Sequence, residues 1–201
     1  MRFFLLYIVV TFSLFASSQE ALSAYKSGNY KKAVTLYKQA EKMGDTTAMN
    51  ALSYLYYNGL GVKQNTQKSI QYLQKAANVK DERACLDLGL FYLHGIRVRQ
   101  DYKQAAHYLE CAADKGSAEA QYNLALMYYN GDGVKQDVKK AAVLLEEAAK
   151  GGHKGAKANV GRIYMQALDF KKAKEWLEKN VADGDKEAVL LLKEIDANTK
   201  E

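Results

Sequence analysis

The chain has no proline, only two cysteines and 14 glycines among 201 residues. Without proline and with few glycines, the turns of a many-stranded sheet protein lack their usual punctuation, which argues against an all-β fold. Two cysteines allow at most one intrachain disulfide, and no clustered Cys/His set marks a metal site. No dense basic tract is present either. The excess of 29 Lys and Arg over 23 Asp and Glu is spread along the chain in singles and pairs, which reads as a solvated surface and excludes a nucleic-acid footprint. What is abundant is Ala, Leu, Lys, Glu and Tyr, a helix-forming composition. The length allows one compact core or one short repeat array and is too small for two ordinary domains.

Met1-Arg2 precedes an apolar run from Phe3 to Phe15, followed by Ala16-Ser17-Ser18. A basic start, a short hydrophobic stretch and small residues at the exit predict a secretory signal over residues 1–18, cut after Ser18. The run is too short to span a bilayer comfortably, so no stable membrane insertion is expected after cleavage, and the mature chain is expected to be periplasmic or secreted.

A shift of 36 residues superposes the chain on itself. It aligns Asn58-Gly59-Leu60-Gly61-Val62 with His94-Gly95-Ile96-Arg97-Val98 and with Asn130-Gly131-Asp132-Gly133-Val134, and it aligns Gln64, Gln100 and Gln136. That period is what two helices of about twelve residues with two connections consume. In each unit a first helix, A, carries the apolar pattern Ala48, Leu52, Leu55, Tyr56, repeated as Ala84, Leu88, Phe91, Tyr92 and as Ala120, Leu124, Met127, Tyr128. A second helix, B, carries Ser69, Tyr72, Leu73, Ala76, repeated as Ala105, Tyr108, Leu109, Ala112 and as Ala141, Leu144, Leu145, Ala148. Ser53, Gly89, Ala125 and Gly161 keep a small residue beside the buried position, for close helix approach.

The expected fold is therefore an all-α, α/α-repeat superhelical solenoid over residues 19–201. An N-terminal capping unit (19–45) is followed by full repeats at 46–81, 82–117 and 118–153, a short repeat at 154–185 and a capping helix at 186–201 whose charges close the array. Arg97 occupies a glycine slot, so its loop is expected to be rearranged or strained.

The run from Ala120 to Asp137, with Lys140-Ala141-Ala142 and Ala148-Ala149, closely resembles the Sel1-like repeat family, a relative of tetratricopeptide repeats. The resemblance implies helical superhelices that hold a protein or peptide on the concave, helix A face. The stripe one turn from the core gives the candidate contact residues: Tyr54 and Asn58; Asp87, Leu90 and His94; Asn123, Leu126 and Asn130; Asn159 and Arg162. Tyr54, Leu90 and Leu126 could instead pack between neighbouring A helices. Asn123 and Asn159 match the family's Asn position, whereas Ala51 and Asp87 depart from it. The expected role is a non-catalytic, monomeric adaptor with no cofactor and no metal. Family resemblance also implies two alternatives: an immunity protein against a delivered toxin, and a β-lactamase-like hydrolase of the cysteine-rich Sel1-like type.

Cys85 and Cys111 fall near the same end of one hairpin, and secreted cysteine-rich Sel1-like proteins cross-link such helices; a bridge and two free thiols both remain open at this stage. The equivalent residues, Met49, Gln121 and Lys157, or Lys75, Glu147 and Lys179, are mostly polar, which predicts partly exposed sites. Ser23 and Lys26 match a Ser-x-x-Lys spacing without its companion motifs. His94, His107 and His153 form no metal-ligand pattern.

Overall fold

The structure is a computed structural model, and it describes residues 18–198. Of the expected signal segment, all but Ser18 lies outside the described residues. Among the described residues the secondary structure is helical throughout, with no strand and no helix long and apolar enough to cross a membrane. The helices are α1 (18–26), α2 (Tyr30–Lys42), α3 (Thr46–Asn58), α4 (Thr66–Asn78), α5 (Glu82–His94), α6 (Tyr102–Ala113), α7 (Ala118–Asn130), α8 (Val138–Lys150), α9 (Lys154–Gln166), α10 (Phe170–Ala182) and α11 (Lys186–Asn198). The fold class is an α/α repeat built of helix hairpins, as the period predicts, with odd-numbered helices in the A role and even-numbered ones in the B role. Two compact units divide the chain, one ending at Leu88 and one beginning at Gly89.

In the first unit α2 packs on α3 and α3 on α4. Its core is made of Ala21, Ala33, Tyr37, Ala40, Ala48, Leu52, Leu55 and Tyr56. The second unit continues in the same manner from α6 to α11, each helix against the next. Leu109, Leu124, Met127, Leu145, Val160 and Leu177 are all buried there. Fully burying each such side chain contributes about 1.5–3 kcal/mol. The small positions work as expected: a Cβ on Gly89 would lie 2.7 Å from Leu109 Cγ, and one on Gly161 would lie 2.8 Å from Leu177.

Helix starts are set by polar caps. Asn29, Asp45, Asn65, Asp81, Asp101, Asp137 and Asp169 each accept a hydrogen bond from a backbone N–H in the first turn of the following helix. His153 does the same through Nδ1, which accepts from Ala156 N at 3.1 Å. The Gly-x-Gly loops after α3 and α7 have a definite steric reason. A Cβ on Gly61 or Gly133 would come within 2.4 Å of the backbone of Tyr30 or Tyr102. The repeated glutamines are structural too: Gln64, Gln100 and Gln136 each donate, at 2.8 Å, to the carbonyl of Tyr57, Leu93 or Tyr129, tying the loop to the end of the helix before it.

At Arg97 the loop keeps its shape and takes the strain, with φ at +65° and the guanidinium 4.5 Å from the Phe91 ring. Lys80 and Leu168 likewise hold positive φ where other repeats use glycine. Charges of α11 pair with earlier helices, Glu187 with Arg162 and Asp196 with Lys174, while its Leu190 is 64% exposed.

Candidate functional site

In the first unit the predicted A-helix stripe opens into a groove of about 650 Å³. Its apolar wall is Leu22 and Tyr25 from α1, Tyr37 from α2, and Ala51 and Tyr54 from α3. Its polar end is Asn50, Asp81 and Arg83. Tyr54 is 51% exposed and meets Tyr25 edge-on, with ring centroids 6.2 Å apart; Tyr25 in turn packs on Tyr30 at 5.6 Å. The Tyr25 phenol is held above its ordinary pKa chiefly by its hydrogen bond to Tyr54 and then by burial. Burial, and then the Asp45 charge, push Tyr37 up.

Asp81 organises the polar end. Burial would raise its pKa, but hydrogen bonds from Asn50, the Ala84 backbone and Thr46, together with the nearby Arg83 charge, outweigh burial and hold it below the usual carboxylate range. Asn50 Nδ2 donates to Asp81 Oδ1 at 2.9 Å, and the same oxygen accepts from Ala84 N at 3.0 Å.

The remaining stripe residues have mixed placements. Asn58 is exposed and donates to Tyr54 O at 2.9 Å. On α5, Asp87 and Leu90 are half-buried and His94 is exposed. Asn123 is half-buried and donates to the Glu119 carbonyl at 2.8 Å, while Asn159 donates to the Gly155 carbonyl at 2.8 Å. Leu126 and Asn130 are exposed, and Asn130 donates to Asp132 at 3.1 Å. Arg162 is half-buried and engaged, with Nη2 2.6 Å from Glu187 Oε2 and Nη1 donating to Asn159 at 3.4 Å.

Both cysteines are disulfide-bonded. The expectation of partly exposed sites fails at Cys85, which is fully buried, and at its equivalent Gln121, which is 7% exposed. Each side chain there reaches back to the carbonyl eight residues earlier. Gln121 Nε2 donates to Ala113 O at 3.5 Å, so that amide is buried with a partner, whereas the disulfide-bonded Cys85 Sγ, 3.9 Å from Ala77 O, has no hydrogen to donate. Ser23 and Lys26 are both exposed on α1. Among the described residues no group of three or more His, Cys, Asp or Glu is arranged to hold a metal ion.

A second recurring constellation escaped sequence reasoning. Glu146 on α8 accepts from Tyr164 of α9 and lies 3.0 Å from Lys172 Nζ of α10, and Lys150 reaches its other oxygen at 2.8 Å. One repeat earlier Lys140 bonds the Tyr128 hydroxyl at 2.6 Å and lies 3.5 Å from Glu110. Burial opposes ionisation of Glu146, yet its hydrogen bonds from Lys150, Tyr164 and Lys172 bring its pKa down to about 2. Burial and the hydrogen bond to Glu146 push Tyr164 up to about 12. The signal was present in the sequence as a Tyr, a Lys and a Glu recurring in register with the repeat.

Helix hairpins repeated in tandem, with A-helix side chains beyond the core left to solvent, define a helical-repeat protein. The family profile described as Sel1 repeat matches residues 22–45, 46–81, 82–117, 118–153 and 156–181, and the chain belongs to that family. Its members generally serve as protein-interaction scaffolds. Among solved structures the chain is similar to a Sel1 repeat protein from Oxalobacter formigenes, at 27% identity with a TM-score of 0.72, covering 87% of this chain and 74% of that one. It is also similar to a protective antigen present in uropathogenic Escherichia coli strains that displays an SLR fold. That match has 26% identity and a TM-score of 0.75, with 89% of this chain and 40% of that one covered. Comparison with curated protein sequences gives no match.

Proposed function

We propose that this chain is a non-catalytic, exported binding scaffold that holds an extended segment of a protein partner against its A helices. The carrying observation is the groove in the first unit, where a half-exposed tyrosine pair stands beside an amide and a guanidinium on a helix surface that the core does not use. Such a mixture of aromatic, amide and charged groups suits a non-obligate protein contact. Family membership supports the binding role, and the run from Phe3 to Phe15 with the small residues after it supports export. In the second unit Asn123, Leu126 and Asn130 extend the same chemistry along α7.

The test is site-specific photo-crosslinking in the native cell envelope, with the crosslinker at Tyr54 or Asn123 on A helices and at Gln71, exposed on helix α4, as the comparison. Discrete adducts from positions 54 and 123 and none from position 71 are expected. Adducts only from position 71 would move the binding face to the B helices and sink the reading.

A further inference from the structure

We infer that the groove of the first unit takes an extended acidic peptide segment, with one aromatic or aliphatic side chain seated against Tyr54 and a neighbouring carboxylate side chain at Arg83. The inference rests on the scaffold reading above and names the chemistry of its ligand.

Asn50 is the first ground. The Asp81 carboxylate is ionised and accepts only, so the Asn50 amide must turn its NH2 toward Asp81 and its oxygen away. That oxygen is buried and has no donor in the protein. A buried acceptor without a donor costs roughly 1–3 kcal/mol, and on a groove wall a peptide N–H can offset that cost on binding.

Charge is the second ground. Both charged groups at the polar end are not equally available. Asp81 is already engaged by Asn50, Thr46 and the first turn of α5, whereas Arg83 is exposed and forms no ion pair among the described residues. The unengaged donors left to a ligand are therefore those of Arg83, and a guanidinium fork matches a carboxylate. A formal net charge of +6, or +5 once Arg2 is lost with the signal segment, favours approach of the same class of partner.

Shape is the third ground. Later repeats carry Asn123 and Asn159 where this one carries Ala51, so the floor beside Tyr54 lacks the longer side chain. A volume of about 650 Å³ accommodates an apolar side chain with the backbone that flanks it.

Fluorescence polarisation with the full chain tests this, using labelled octapeptides capped at both ends so that only side chains supply carboxylates. One set has phenylalanine or leucine at its centre among aspartates and glutamates; a second has lysines in place of the acids; a third is acidic with alanine at its centre; a fourth is the acidic set with a free C-terminus. The capped acidic aromatic or aliphatic set is expected to bind best and to weaken with salt. Arg83→Gln and Tyr54→Ala are expected to lower that affinity by about tenfold each, while the exposed sites they alter leave thermal midpoints nearly unchanged. Asn50→Ala should weaken all acidic peptides alike. Equal binding of lysine peptides, dependence on a free C-terminus, or indifference to Arg83→Gln would overturn the inference. Envelope adducts from position 123 would then still support the scaffold reading, so the two fail separately.

Discussion

Ser53 Oγ and Ser69 Oγ lie 2.9 Å apart with both side chains buried, on the facing surfaces of α3 and α4. The same two positions in a later repeat are Ala125 and Ala141, also fully buried, so the fold accepts the apolar pair at this contact. Removing one hydroxyl strands the other. Ser53→Ala or Ser69→Ala alone should cost about 1–2 kcal/mol, and the double substitution should be close to neutral. Urea denaturation of the four proteins measures the coupling; simple additivity would contradict it.

Gly133 and Gly152 both hold positive φ, +69° and +88°, but only Gly133 faces backbone, that of Tyr102. Gly152→Ala, which meets nothing within 4 Å, should cost only the left-handed strain of about 1–2 kcal/mol. Gly133→Ala adds a steric conflict that no rotamer change relieves, and should cost roughly 3 kcal/mol or more. Equal shifts in the thermal midpoint would show that the loop moves freely away from α6.

Glu146 has its pKa depressed to about 2 from an ordinary 4.5, so its contribution to stability is present above pH 4.5 and is lost as pH falls toward 2. Tyr164, raised from 10 to about 12, contributes below pH 10 and loses that contribution as pH climbs through 12. Glu146→Gln should lower stability at pH 7 by an amount on the order of 2 kcal/mol, since it weakens hydrogen bonds made to a charged group. Thermal melts across pH 2–7 should show the gap between the two proteins closing as acid is added. A gap that stays constant with pH would show that the carboxylate's charge contributes nothing.

In the chain-entropy account a disulfide between Cys85 and Cys111 would remove unfolded-chain entropy worth about 3.5 kcal/mol at 25 °C. Mass spectrometry without reductant should give an intact chain two hydrogens lighter than the reduced one. Reduction should lower the thermal midpoint, and Cys85, being fully buried, should resist alkylation until reductant and denaturant are both present. Ready alkylation of the native, unreduced protein would be the contrary result.

The helices and their buried faces were legible because the repeat states each position several times over. Leu52, Leu88 and Leu124 are buried where the four-three-one spacing puts them. The burial of Gln121 depends on a carbonyl at the end of the preceding helix, and that of Cys85 goes with its disulfide, relations that residue polarity alone does not carry. His153 hid its capping role for a similar reason: Nδ1 serves where Asp or Asn serves elsewhere, and only the backbone geometry reveals it. The stripe at Ala51 and Tyr54 was read from the period, but the groove was not, since Leu22 and Tyr25 come from an incomplete unit whose register the period does not fix. The period places Arg162 on the stripe but not its ion pair with Glu187, which comes from the lone helix α11.

Asp81 both starts α5 and braces Asn50 at the edge of the groove. Occupancy on one side of that carboxylate is thereby wired to fraying on the other: whatever steadies the Asn50 amide also steadies the opening turn of α5, and slower amide hydrogen exchange at Ala84 would be the readable trace of a guest that never touches it.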